Sequence, residues 1–149
     1  MKTLAHVLTI VALAAGVPLL GGHEQQPPKV EREKSDPKKV KELMRKKLDH
    51  AQKILEAIAL NEPDQIATHA GGLIEVSKEA AWRIYKSPQY EMNSDDFRRS
   101  AEKLVRQAKD KDLESAKLTY LEMTMTCFHC HRYVRDVGMV RLDAETGSR

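Results

Sequence analysis

A chain of 149 residues is the size of one domain, which excludes a multidomain enzyme with separate cofactor and substrate halves. Hydrophobic residues make up 41% and charged residues 32%, with Gly 7, Pro 6 and 5% aromatics, a mix that excludes collagen-like, low-complexity and wholly disordered chains. The formal net charge of +3 is too small and too evenly spread to drive binding to a phosphate backbone, so nucleic acid is not an expected partner.

Lys2 followed by the apolar stretch from Leu4 to Leu20, broken near its end by Gly16-Val17-Pro18, reads as a signal peptide over 1–22 and predicts export, periplasmic or otherwise. Retained rather than cleaved, the same segment would be an N-terminal membrane anchor, although a spanning helix wants about 20 uninterrupted apolar residues. The following HEQQPPKVEREKS, residues 23–35, has too few apolar side chains to offset the entropy of ordering and predicts a flexible polar linker.

Residues 36–137 predict four helices, with 138–149 as a C-terminal tail. The first opens at Ser35 or Asp36 with Pro37 in its first turn, and its apolar stripe runs Val40, Leu43, Met44, Leu48, Ala51, Ile54, Leu55, Ile58 and Ala59, at gaps of three and four. Its lysines and Arg45 are assigned to the opposite, solvated face. A second stripe follows Pro63 through Ile66, Ala67, Ala70, Leu73, Ile74, Ser77, Ala81 and Ile84. Within it Gly71 and Gly72 cost about 1 kcal/mol each relative to alanine, which predicts close approach of a neighbour or bulky ligand as compensation. SPQYEMNSD reads as a loop. Ser94 or Asp95 then caps a third helix carrying Phe97, Ala101, Leu104, Val105 and Ala108. Asp112 opens the fourth, with Leu113, Ala116, Tyr120, Met123, Thr124 or Met125, Cys127, Cys130 and His131 inward. No segment alternates with period two, so no sheet is expected. The predicted fold class is all-α, an antiparallel four-helix bundle behind an export signal and a linker.

The fourth helix contains TCFHCHRYVR, a C-x-x-C-H at Cys127, Cys130 and His131, and these are the chain's two cysteines. Helical residues three and four apart share a face, so both thiols and the imidazole project toward one small region. Two thiols at that spacing can each add to a vinyl group of one haem, and the adjacent imidazole can ligate its iron. Three other chemistries use these donors. A catalytic dithiol, giving a thiol-disulfide oxidoreductase, expects a βαβ context with its first cysteine at a helix N-terminus. A zinc site from Cys127, Cys130, His129 and His131 crowds into one stretch what structural zinc draws from two. A disulfide across two intervening residues closes a tiny loop and contributes little. Covalent haem attachment, which occurs outside the cytoplasm, agrees with the leader.

A C-x-x-C-H in the last helix of a four-helix bundle resembles the cytochrome c′ family, the class II cytochromes c, over about 40–137 at the level of architecture and pattern. The resemblance implies one haem c held by Cys127 and Cys130, with His131 as proximal iron ligand and Arg135 as a basic residue beside the haem. Val134 departs from it, since many members carry an aromatic residue there, as does the long tail. The resemblance further implies that the first helix supplies the sixth iron position. Met44, on the inward stripe, offers a thioether as sixth ligand; Leu43 and Leu48 rival it, and a methionine on such a stripe also serves as core filler. With methionine there the chain resembles an electron carrier working with redox partner proteins and no enzyme; with an apolar side chain it resembles a five-coordinate module that binds NO or CO. Family members often pair into homodimers through their first two helices. His50 and His69 are assigned to the surface or a rim, Trp82, Tyr85 and Tyr90 to packing with a polar tip outward, and His129, about 200° around the helix from His131, to solvent.

Overall fold

The computed structural model describes residues 30–79 and 82–146, with side chains as far as Gly138. The leader expected over 1–22, and the linker as far as 29, lie outside the described residues. What is described is almost entirely helical, with four helices.

Helix α1 (Pro37–Leu60) starts where the sequence predicts. The Asp36 carboxylate accepts from the Lys38 N–H at 2.9 Å, and Pro37 occupies the first helical position, where its missing N–H costs nothing. Asn61 ends it in the left-handed region at φ 61°, a conformation asparagine tolerates better than most residues. Helix α2 (Pro63–Lys78) stops before Ile84, so the predicted second stripe is too long. From Glu79 the chain turns extended, buries Trp82 and Tyr85, and pairs β2 (Tyr85–Lys86) antiparallel with β1 (Glu31–Arg32), Glu31 opposite Lys86.

That ribbon corrects two expectations: a two-residue strand pair exists, and residues 30–35 of the predicted linker are held. Glu33 N–H donates to the Ile84 carbonyl at 3.0 Å, Lys86 reaches Glu31 at 3.2 Å, and Val30 packs on the core.

Helix α3 (Pro88–Lys109) begins well before Ser94 and Asp95, so the segment read as a loop is its opening turns. Ser87 caps it, accepting from the Tyr90 N–H at 3.2 Å, with Pro88 at the first position. Tyr90 and Ser94 are buried because Trp82 Nε1 donates to Ser94 Oγ at 2.9 Å, Ser94 Oγ donates to the Tyr90 carbonyl, and the Tyr90 hydroxyl donates to the Trp82 carbonyl. Helix α4 (Leu113–Thr146) opens as predicted, Asp112 accepting from the Ser115 N–H at 3.2 Å. It runs on through the segment from 138 that was expected as a tail.

Helix α2 packs against α1 and α3, and α3 against α4, while α1 and α4 meet more sparingly. The core is Leu43, Ile54, Ile66, Leu73, Phe97, Leu104 and Met123 with the small residues between them. No helix of the described residues is long and apolar enough to cross a membrane.

Ser87 Oγ also lies 2.6 Å from the Tyr133 hydroxyl, joining the start of α3 to α4. Ser87→Ala is expected to cost about 1–2 kcal/mol in urea unfolding, and Ser87→Asp, which restores a capping oxygen, less.

Candidate functional site

One seam of α4 faces inward: Met123 is buried, and Cys127, Cys130 and Val134, four, seven and eleven residues on, pack partly buried against the core. Both cysteines are free thiols on this seam, in the middle of a long helix. Cys127 Sγ donates to the Met123 carbonyl at 3.5 Å. Burial pushes the Cys130 thiol up, against the pull of Lys47. A dithiol reductase wants its first cysteine at a helix N-terminus, where a thiolate is stabilised, and Cys127 lies mid-helix.

His131 lies at the edge of the seam, one turn beyond Cys127, and its surface stays exposed. Partial desolvation of the ring, with the cations of Lys47 and Arg135 close by, holds its imidazole below the usual range. That favours the neutral form, the one that can ligate a metal. Arg135 is exposed, one turn after His131. His129 and Phe128 face outward, as the helical wheel requires. Among the described residues no three of His, Cys, Asp and Glu converge on a space for a metal ion, so the zinc set of Cys127, Cys130, His129 and His131 is not assembled.

Across from the thiols stands a residue the sequence reading put in solvent. Lys47 is only 8% exposed, its Nζ lying 3.9 Å from the centre of the Phe97 ring and 4.4 Å from that of Trp82. Burial drives its pKa down, and the acidic groups acting on it are the thiols of Cys127 and Cys130. The aromatic faces supply part of the lost hydration, roughly 0.5–2 kcal/mol in such contacts. Val40, Lys47 and Ile54 are seven apart, so the position was on the apolar stripe all along; the charge hid it.

The stripe itself is rotated from the predicted one. Leu43, Lys47, Ile54 and Ala57 are buried, whereas Leu48 and Leu55 are 58% and 54% exposed. Leu48 therefore drops out as a rival of Met44. Met44 is half-buried against the core, one turn before Lys47. Met125, one of two candidates for an inward place on α4, is exposed, and Thr124 takes the more sheltered position. The Tyr120 hydroxyl donates to the Ala51 carbonyl at 3.0 Å and ties α4 to α1 just beyond Lys47. Tyr90 and Tyr133 complete the wall near Cys130, and burial holds the Tyr90 phenol well above its usual value.

No protein-family model, curated protein or solved structure matches this chain.

A lysine whose folded pKa is depressed is charged at neutral pH at a cost to the folded state, and that cost shrinks as pH rises through the lowered value toward the unfolded one near 10.5. In the chain with free thiols, Lys47→Met is therefore expected to be more stable than wild type at pH 7 by about 1–2 kcal/mol. The gap between the two in urea unfolding closes as the pH is raised toward 10.

Proposed function

We propose that this chain is an exported monohaem c-type cytochrome of the cytochrome c′ kind, an antiparallel four-helix bundle that carries single electrons. The observation that carries the reading is the pairing of two thiols on one inner seam of α4 with the adjacent His131. Opposite them, the buried ammonium of Lys47 meets no carboxylate among the described residues.

In this reading Cys127 and Cys130 hold the porphyrin through thioethers, His131 ligates the iron, and Arg135 lies beside it. When bound, the group supplies one-electron Fe(III)/Fe(II) chemistry. The chain's own part is positional. The helix fixes both sulfurs and the imidazole on adjoining turns, and Trp82, Phe97, Tyr90 and Tyr133 supply the aromatic rings around Lys47 and Cys130. Met44 is the side chain on α1 that carries a thioether for the sixth position.

Short connections and the packing of each helix on the next support the bundle arrangement. Covalent attachment of this kind belongs outside the cytoplasm, so export by the leader, or retention by it at the membrane, is part of the same proposal. So are redox partner proteins, for which the exposed row Leu118, Leu121, Met125 and Phe128 beside the thiols offers an apolar contact surface. A homodimer through the first two helices would cover Leu48 and Leu55.

Expressed with c-type maturation machinery, the wild type is expected to be coloured, with low-spin iron and a methionine-sulfur charge-transfer band that Met44→Ala abolishes. Cys127→Ser with Cys130→Ser is expected to leave no haem after denaturation. A spectrum already high-spin in the wild type, taking up carbon monoxide readily and unchanged by Met44→Ala, assigns the five-coordinate NO or CO module instead. A colourless protein whose two thiols cycle with a disulfide substrate assigns the oxidoreductase and overturns the haem reading.

A further inference from the structure

Away from the thiols, on the side where α1 meets α2, two imidazoles face each other. His50 Nδ1 and His69 Nδ1 stand 3.2 Å apart, part-buried, with ring centres 5.5 Å apart and planes inclined at 49°. The sequence reading left both at a surface or rim and left the Gly71-Gly72 pair without a partner. The structure joins these features. A Cβ built on Gly72 would clash with the Cε1 edge of the His50 ring, 2.7 Å from Nδ1 and from Nε2, whereas one on Gly71 would meet nothing. Gly72 is therefore the seat of the His50 ring, and α2 accepts a residue that weakens helices by about 1 kcal/mol to provide it.

We propose that His50 and His69 are a two-imidazole site for a first-row transition-metal dication such as Zn(II), clipping α1 to α2. Two nitrogens each about 2.0–2.1 Å from a tetrahedral zinc stand about 3.3 Å apart, close to the separation already present in the folded chain, and each ring must swing to turn onto the metal a lone-pair direction that now runs along the line between the two nitrogens. Only one Nδ1 carries the hydrogen that now bridges the pair. Moving it to that ring's Nε2, through solvent, frees both Nδ1 lone pairs with no net change in protons. Waters fill the remaining positions, because among the described residues no third protein donor converges there. Asp49 lies close enough for both imidazoles to act on its carboxylate, which adds negative potential although Lys53 engages it at 2.9 Å. Burial, with His69 and Lys53 nearby, holds the His50 imidazole below its usual range against the opposing pull of Asp49. The site is independent of the haem reading and shares no residue with it.

The test is a zinc titration of the full chain, followed by the imidazole nitrogen resonances of His50 and His69 and by the stoichiometry of bound zinc. Other donors in the chain are common to every variant, so the comparison isolates the pair. The two Nδ1 signals are expected to move together along one binding curve. His69→Gln is expected to lose one equivalent of bound zinc, or to bind it at least about tenfold more weakly. Gly72→Ala keeps both imidazoles and favours the helix, so it folds; by displacing the His50 ring it is expected to weaken binding as well. Zinc uptake equal in the wild type, His69→Gln and Gly72→Ala, with the two rings keeping their hydrogen-bonded signals at millimolar zinc, would overturn the site.

Discussion

The organisation of this chain depends on one constraint: an α-helix places residues three and four apart on one face, and α4 uses that period to hold both of its thiols against the interior. Met123, Cys127, Cys130 and Val134 form a single inward seam. Any group bonded to both sulfurs must then lie between α4 and the helix facing it, and His131, at the seam's edge, stands next to that group. The rest of the molecule sets what that space is like. Trp82 is fixed by its hydrogen bond to Ser94, Tyr90 by the Trp82 carbonyl, and Tyr133 by Ser87. These bonds fix the aromatic rings through side chains whose polar atoms are satisfied.

Lys47 is the exception among these side chains, and an informative one. A buried ammonium with only aromatic faces and two thiols around it sits in an unfavourable place, and a stable fold tolerates such a place chiefly where function needs the charge. The haem reading accounts for the sulfur spacing together with the imidazole that follows it, and the buried cation stands beside that site as a separate feature. The dithiol reading conflicts with the place of the pair, in the middle of α4 rather than at a helix N-terminus.

Much of this was legible in the sequence, and the pattern of what was not is physical. The C-x-x-C-H spacing is local, so it places both thiols on the inner seam, whereas His131, expected inward with them, is exposed at the seam's edge because it lies about 100° further around the helix from Cys130. Helix starts are legible where a cap signature stands: Ser35-Asp36-Pro37 marks the start of α1 to within a residue, and Asp36 is the cap. The same signature at Ser87-Pro88 was passed over, because the polar run that follows resembles a loop until Tyr90 and Ser94 are seen to be buried against Trp82. Lys47 was lost to its charge, since periodicity placed it among Val40 and Ile54 while hydropathy placed it in water. The β1–β2 ribbon is too short to show a period, and its pairing joins residues far apart in the chain. His50 and His69 belong to different helices, so only the packing of α1 on α2 reveals that they meet, although the costly Gly72 had marked the place.

The central claim is a covalent one and is tested most directly by the intact mass of the denatured protein, recovered from cells that carry out c-type maturation. The account predicts one species heavier than the polypeptide by a single haem, with neither Cys127 nor Cys130 available to a thiol reagent. A polypeptide of unmodified mass with both thiols reactive, from cells that mature a control cytochrome normally, would contradict it.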